Sequence, residues 1–261
     1  MAARKIVYLM YHEIEAPGRA LCEPEPGYVR YVVSESNFRS QITWLRDSGY
    51  AGLNVTQGLK LPAERAVAIT FDDGTETDLT VAAPVLKDCG FQATFYITVG
   101  VLGQRGYLSH AQLRELQEMG FEIGCHSMTH PHLNDCDVQG LHREIAKAKD
   151  ALEQILGAAV NHFSCPGGRY DERAREIARQ AGYISVVTSR PDANSASSDP
   201  LDLGRVVIMR DTSSREFREI CSGRGLWKRQ FSVAAFKGAK RLFGNRRYDQ
   251  LRAILLGRDS G

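Results

Sequence analysis

The chain has 261 residues, enough to bury the core of one large α/β domain or of a domain with an appendage. Apolar residues make up 43% and charged residues 25%, ordinary values for a globular protein. The net charge of +2 leaves no nucleic-acid footprint on the whole molecule, and no apolar stretch reaches membrane-spanning length.

The six cysteines, Cys22, Cys89, Cys125, Cys136, Cys165 and Cys221, contain no Cys-x-x-Cys pair. Free thiols in a reducing compartment are therefore expected, not a disulfide frame or a zinc ribbon. Arg4 and Lys5 precede an apolar run of residues 6–10 only, too short for a secretory signal core, so the sequence as given reads as cytoplasmic.

In chain order, residues 6–10 predict a first core strand that ends at Tyr11-His12-Glu13. Pro17, Pro24 and Pro26 mark a loop. Phe38, Ile42, Trp44 and Leu45 have the spacing of an amphipathic helix stopped at Gly49, and residues 51–55 read as a short strand. Residues 66–69 form an apolar strand leading into Thr70-Phe71-Asp72-Asp73-Gly74. Helices are expected over 78–87, from Ser109 to Gly120, over 137–156, 172–180 and 213–221. Strands are expected over 93–97, 121–125, 160–164, 183–188 and 205–209, with a polar loop over 191–202. Strands alternating with helices indicate a parallel sheet with crossover helices. The chemically reactive residues all follow strand ends, where a β/α barrel or open α/β sheet places its active site.

The last stretch differs in composition. Residues 224–258 hold ten Lys or Arg against one acid, Asp249, a net +9 that leaves about −7 for the rest. Two units are therefore expected, 1–223 and a helical extension over 224–261. Trp227, Phe231, Phe236, Leu242 and Phe243 recur near helical spacing, with Lys228, Arg229, Lys237, Lys240 and Arg241 between them. A basic helix with an aromatic face fits either a solvated face packed on the main unit or an interfacial anchor on an anionic membrane.

Two adjacent carboxylates at the end of a core strand are costly unless a positive charge sits between them. A second strand ends in His126-Ser127-Met128-Thr129-His130. Asp73, His126 and His130 together make an Asp-His-His set suited to a divalent ion such as zinc, with a position left open for chemistry. Asp72 is then free to act as a base.

Thr-Phe-Asp-Asp-Gly at 70–74 and His-Ser-x-x-His at 126–130 resemble the first two motifs of the polysaccharide deacetylases, the NodB-like carbohydrate esterases of family 4. Phe163-Ser164-Cys165-Pro166-Gly167-Gly168 resembles the third motif, a wall of the sugar groove, and residues 8–14 resemble the start of the surface-exopolysaccharide branch. The likeness covers about residues 5–210. It implies a distorted (β/α)7 barrel and metal-dependent removal of an N-acetyl group from an amino sugar during surface-glycan assembly. Carried over, Asp73, His126 and His130 are ligands and Asp72 is the base. The segment Pro166, Gly167, Gly168 lines the groove, and a backbone N–H near Gly167 stabilises the oxyanion.

Departures from the family pattern leave three roles open. Ser164 stands where the third motif usually has an Arg that orients the base, and Arg169 or Arg205 is the candidate replacement. The fourth motif has no counterpart over 188–202. Residues 206–211 lack the histidine that normally serves as general acid, and His12, at a strand end, is the candidate to take its place. A deformylase or another C–N hydrolase on a lipid- or nucleotide-linked sugar, and a catalytically silent glycan-binding module, are the alternative readings.

Overall fold

The computed structural model describes residues 5–60 and 65–226. The strands are β1 (Lys5–Tyr11), β2 (Ile14–Glu15), β3 (Val33–Ser34), β4 (Ala51–Leu53), β5 (Ala66–Phe71), β6 (Thr94–Ile97), β7 (Glu122–Cys125), β8 (His162–Ser164), β9 (Ser185–Val187), β10 (Ala193–Ser195) and β11 (Val206–Val207). β1, β5, β6, β7, β8 and β9 lie side by side, all parallel. The curl closes through one segment: Leu203 bridges to Val187 on β9, and β11 pairs with β1. This gives the distorted (β/α)7 barrel that the motifs imply, and it brings the segment after residue 202 back to the first strand.

Strand alternation decides what faces the barrel interior. Tyr11, Phe71 and Phe95 are in register on β1, β5 and β6 and stack outward, at 5.3 and 4.7 Å between ring centroids. Each such aromatic pair contributes about 0.5–1.5 kcal/mol beyond its area. With Phe71 outward, Thr70 and Asp72 must point inward. The same parity sets Tyr8, Ala68, Tyr96 and Val187 in one interior cluster with Ile6, Val55 and Leu203. Gly124 on β7 allows the Tyr96 ring its place: a Cβ there would lie 2.4 Å from that ring.

Most expected helices form where the capping residues put them. Ser109 caps His110–Glu118 through a reciprocal capping box with Gln112, and Asp171 caps Glu172–Gln180. Other elements differ from expectation. The strand expected over 51–55 stops at Leu53, because Asn54 caps a short helix, Val55–Leu59. The loop expected over 191–202 contains β10, antiparallel to β1, and the strand expected over 205–209 is reduced to β11. Two helices contain π-helical turns, Asp78–Ala82 and His142–Lys147. All six cysteines are free.

Contacts divide the chain at Met1–Arg224 and Gly225–Gly261. The helices expected over 224–258 lie outside the described residues, apart from 224–226. Among the described residues no helix is long and apolar enough to cross a membrane.

Candidate metal centre and active site

The site forms at the C-terminal ends of β1, β5, β7 and β8, the end of a parallel barrel where loops can converge. β5 delivers Asp72 by its pleat. Asp73 would face away by the same rule, but the backbone turns left-handed at Asp73 (φ 84°), and Gly74 continues the turn (φ 81°). The histidine loop reverses likewise at Ser127 (φ 70°) and His130 (φ 61°). Among the described residues these are all the non-glycine residues with positive φ. Such conformations cost about 1–3 kcal/mol each and persist only where the surroundings enforce them. Their concentration at these three residues of two adjoining loops marks this as the candidate functional site.

Asp73 Oδ1 lies 3.5 Å from His126 Nε2 and 3.6 Å from His130 Nε2. Zinc bonds of 2.0–2.1 Å at tetrahedral angles place neighbouring donors about 3.3 Å apart, so the three atoms fit one ion. Their tautomers suit it as well. His126 Nδ1 is 2.8 Å from the Ser164 carbonyl, which can only accept, so the proton sits on Nδ1 and Nε2 presents its lone pair to the site. Burial pushes the His126 imidazole down to about 3, helped by His130 and Arg205, so it stays neutral. Burial also lowers His130. Burial first, and Asp72 second, push Asp73 up to about 6 against the pull of His12 and Arg205. A carboxylate raised in this way, beside two neutral imidazoles, is a set in want of a cation.

Asp72 has a different partner from these three donors. Arg205, 1% exposed, donates to both of its oxygens at 2.7 Å, Nη1 to Oδ1 and Nη2 to Oδ2. The same guanidinium reaches Ser164 Oγ, Thr70 Oγ1 and the Thr188 carbonyl, and Ser164 Oγ donates to Asp72 Oδ2 at 3.2 Å. Burial alone would raise Asp72; Arg205, and after it His126, hold it well below the usual carboxylate range. Asp72 is thus ionised throughout the neutral range.

Of the two arginines that could stand in for the missing one, Arg205 makes these bonds. Arg169 does not; among the described residues its side chain has no bond to Asp72. Ser164 does not vacate its role either, since it bridges Arg205 to Asp72. His12 follows β1 close enough to act electrostatically on both Asp72 and Asp73. Its ring packs on Tyr31 at 5.0 Å, and its buried Nδ1 has no hydrogen-bond partner among the described residues. Pro166, Gly167 and Gly168 follow β8, both glycines with left-handed φ, and Gly167 abuts His132. Sequence reading missed the buried carboxyls Asp78 and Glu144, each in a π-helical turn. Burial pushes Asp78 well above the carboxylate range, with Asp73 adding to it.

A parallel barrel with an Asp-His-His donor set and a separate, arginine-held Asp at its mouth is the arrangement of a candidate metal site with a carboxylate beside it, on the fold of the deacetylases. The chain belongs to the polysaccharide deacetylase family. The family model for polysaccharide deacetylase matches residues 60–186, which include both ligand motifs but neither His12 nor Arg205. A Bacillus subtilis (strain 168) protein named as a polysaccharide deacetylase, YxkH, is 32% identical over 82% of this chain and 75% of its own length. A poly-beta-1,6-N-acetyl-D-glucosamine N-deacetylase of Staphylococcus aureus (strain MRSA252) is 25% identical over 69% of each chain. Among solved structures, Streptococcus pyogenes deacetylase PplD in complex with acetate is similar, with a TM-score of 0.75 and 27% identity, covering 84% of this chain and 99% of that one.

Proposed function

We propose that this protein removes an N-acetyl group from an amino sugar of a surface polysaccharide, using one divalent ion, best met by zinc, held by Asp73, His126 and His130. The observation that carries the reading is the division of the twin acids: Asp73 faces the two imidazoles, whereas Asp72 is bound by Arg205. An ion so held supplies Lewis acidity toward the acyl carbonyl and toward water.

The chain's own groups supply the rest. Asp72 takes the proton of the attacking water at Oδ2, the oxygen 3.8 Å from His126 Nε2. Arg205 and Ser164 fix that carboxylate's orientation. The N–H near Gly167 meets the developing oxyanion. His12, which acts electrostatically on both acids, protonates the leaving amine and so fills the role left without a histidine over 206–211. Retention of Asp72, an acid that the three donor positions do not use, disfavours a silent binding module.

The relatives' named substrates suggest a β-linked N-acetylglucosamine polymer. The deciding experiment is a panel of N-acetylated and N-formylated oligosaccharides, nucleotide sugars and lipid-linked sugars, scored for acetate, formate and free amine. Acetate from the oligosaccharides supports this reading; formate alone would move the assignment to a deformylase. We further propose that residues 224–258, from their composition, hold the enzyme at the cytoplasmic face of an anionic membrane.

A further inference from the structure

The histidine loop carries strain at two residues, and something must hold it. One grip is on its carbonyls: Val99 N–H donates to Ser127 O at 3.1 Å and Gly100 N–H to Met128 O at 2.8 Å. Gly100 has to be glycine for this approach, since a Cβ there would lie 2.7 Å from Met128 O. The opposite grip is on its amides, and it is a single side chain. Glu144, 1% exposed, accepts from Met128 N–H at 3.1 Å and Thr129 N–H at 2.7 Å through Oε2, and from Thr129 Oγ1 at 2.9 Å through Oε1. Among the described residues only the exposed Arg143, at 3.5 Å, pairs with it as a cation. A carboxylate buried against two successive amides and a hydroxyl is matched to donors and ties this part of the loop to one point.

The two histidines depend on this grip unequally. His126 stands at the end of β7 with its ring fixed by the Ser164 carbonyl. His130 is 45% exposed, and among the described residues no hydrogen bond from a neighbour holds its imidazole. Its aim at Asp73 is set by the backbone it hangs from, through Ser127 Oγ on its own N–H and Glu144 on the two residues before it.

We propose that Glu144 is a positioning residue for the metal centre, placing His130 against Asp73 by fixing the 127–130 turn. This rests on the metal-site reading above. A Glu144→Leu variant keeps similar bulk but removes every acceptor, leaving the Met128 and Thr129 N–H groups buried without their partner. Loss of a partner that orients a ligand typically weakens metal binding 10–100-fold.

The test measures zinc Kd by competition with a chromophoric chelator, alongside thermal melts of the metal-free proteins, for wild type, Glu144→Leu and Thr129→Val. The expected result is a Kd about 10–100-fold weaker for Glu144→Leu and several-fold weaker for Thr129→Val. A role in folding alone would lower the melting temperature and leave Kd unchanged, and wild-type Kd in the variants would overturn the proposal. Should Glu144→Leu not fold, Thr129→Val decides alone by the same criterion. A wild-type protein that binds no divalent metal would instead remove the functional reading on which the proposal stands.

Discussion

Arg205 grips Asp72 through two parallel hydrogen bonds of 2.7 Å across 133 residues of sequence. The pair is buried and both partners are satisfied elsewhere, Arg205 by Thr70, Ser164 and the Thr188 carbonyl. It joins the segment that closes the barrel to the strand that carries both acids, so fold closure and orientation of the base are one interaction.

Removing the arginine should therefore cost stability in a pH-dependent way. Arg205→Leu leaves Asp72 as a buried unpaired charge, a loss of about 3–5 kcal/mol at neutral pH. In wild type Asp72's lowered pKa gives stability that is present above the ordinary carboxylate pKa and lost as pH falls through the folded value. In the variant burial raises Asp72 instead, so it protonates in mild acid and the penalty shrinks. Urea denaturation at neutral and mildly acidic pH checks this; an equal gap at both would contradict it.

The twin acids should separate by mutation. Asp72→Asn keeps the three ligands and is expected to retain metal while losing about 10²–10⁴-fold in turnover. Asp73→Asn removes a ligand and is expected to lose metal first. Metal content and acetate release, measured on the same preparations, distinguish the two; an Asp72→Asn enzyme with normal turnover would refute the base assignment.

Metal uptake should fall in acid through Asp73. Its carboxyl, at about 6 in the metal-free site, must ionise to bind, whereas His126, at about 3, is already neutral. Apparent affinity should drop about tenfold per pH unit below that point and level off above it, with one proton released per ion bound in acid. Titration calorimetry in buffers of different ionisation enthalpy reads both. A flat affinity from about pH 5 to 7 would place Asp73 outside the ligand set.

How much of this was legible in the sequence follows from range. The strand ends, the caps at Ser109 and Asp171 and the two ligand motifs are local patterns, and each is found where its residues point. The pleat alone predicts Asp72 inward; the turn that brings Asp73 beside it rests on a left-handed aspartate that no local propensity demands. Arg205 could be named as a candidate but not chosen over Arg169, because the choice depends on β11 returning to β1. Glu144 and Asp78 gave no signal, since an acid on an amphipathic helix ordinarily faces water. β10 was lost in a polar loop because its pairing with β1 is a tertiary event.

The basic tail offers a separate test. Protein truncated after Gly223 is expected to keep its metal and lose salt-sensitive binding to anionic vesicles, each Lys or Arg near such a surface contributing about 1 kcal/mol. Equal co-sedimentation of full-length and truncated protein would remove the membrane role.

The central claim is hydrolysis at the Asp73–His126–His130 centre with Asp72 as base. The most direct measurement is acetate and free amine released from β-1,6-linked N-acetylglucosamine oligomers by zinc-loaded protein, by chelator-treated protein and by Asp72→Asn. The account predicts one acetate per new amine from the loaded wild type and loss of release in the other two. Release that persists at the wild-type rate after chelation or in Asp72→Asn would contradict it.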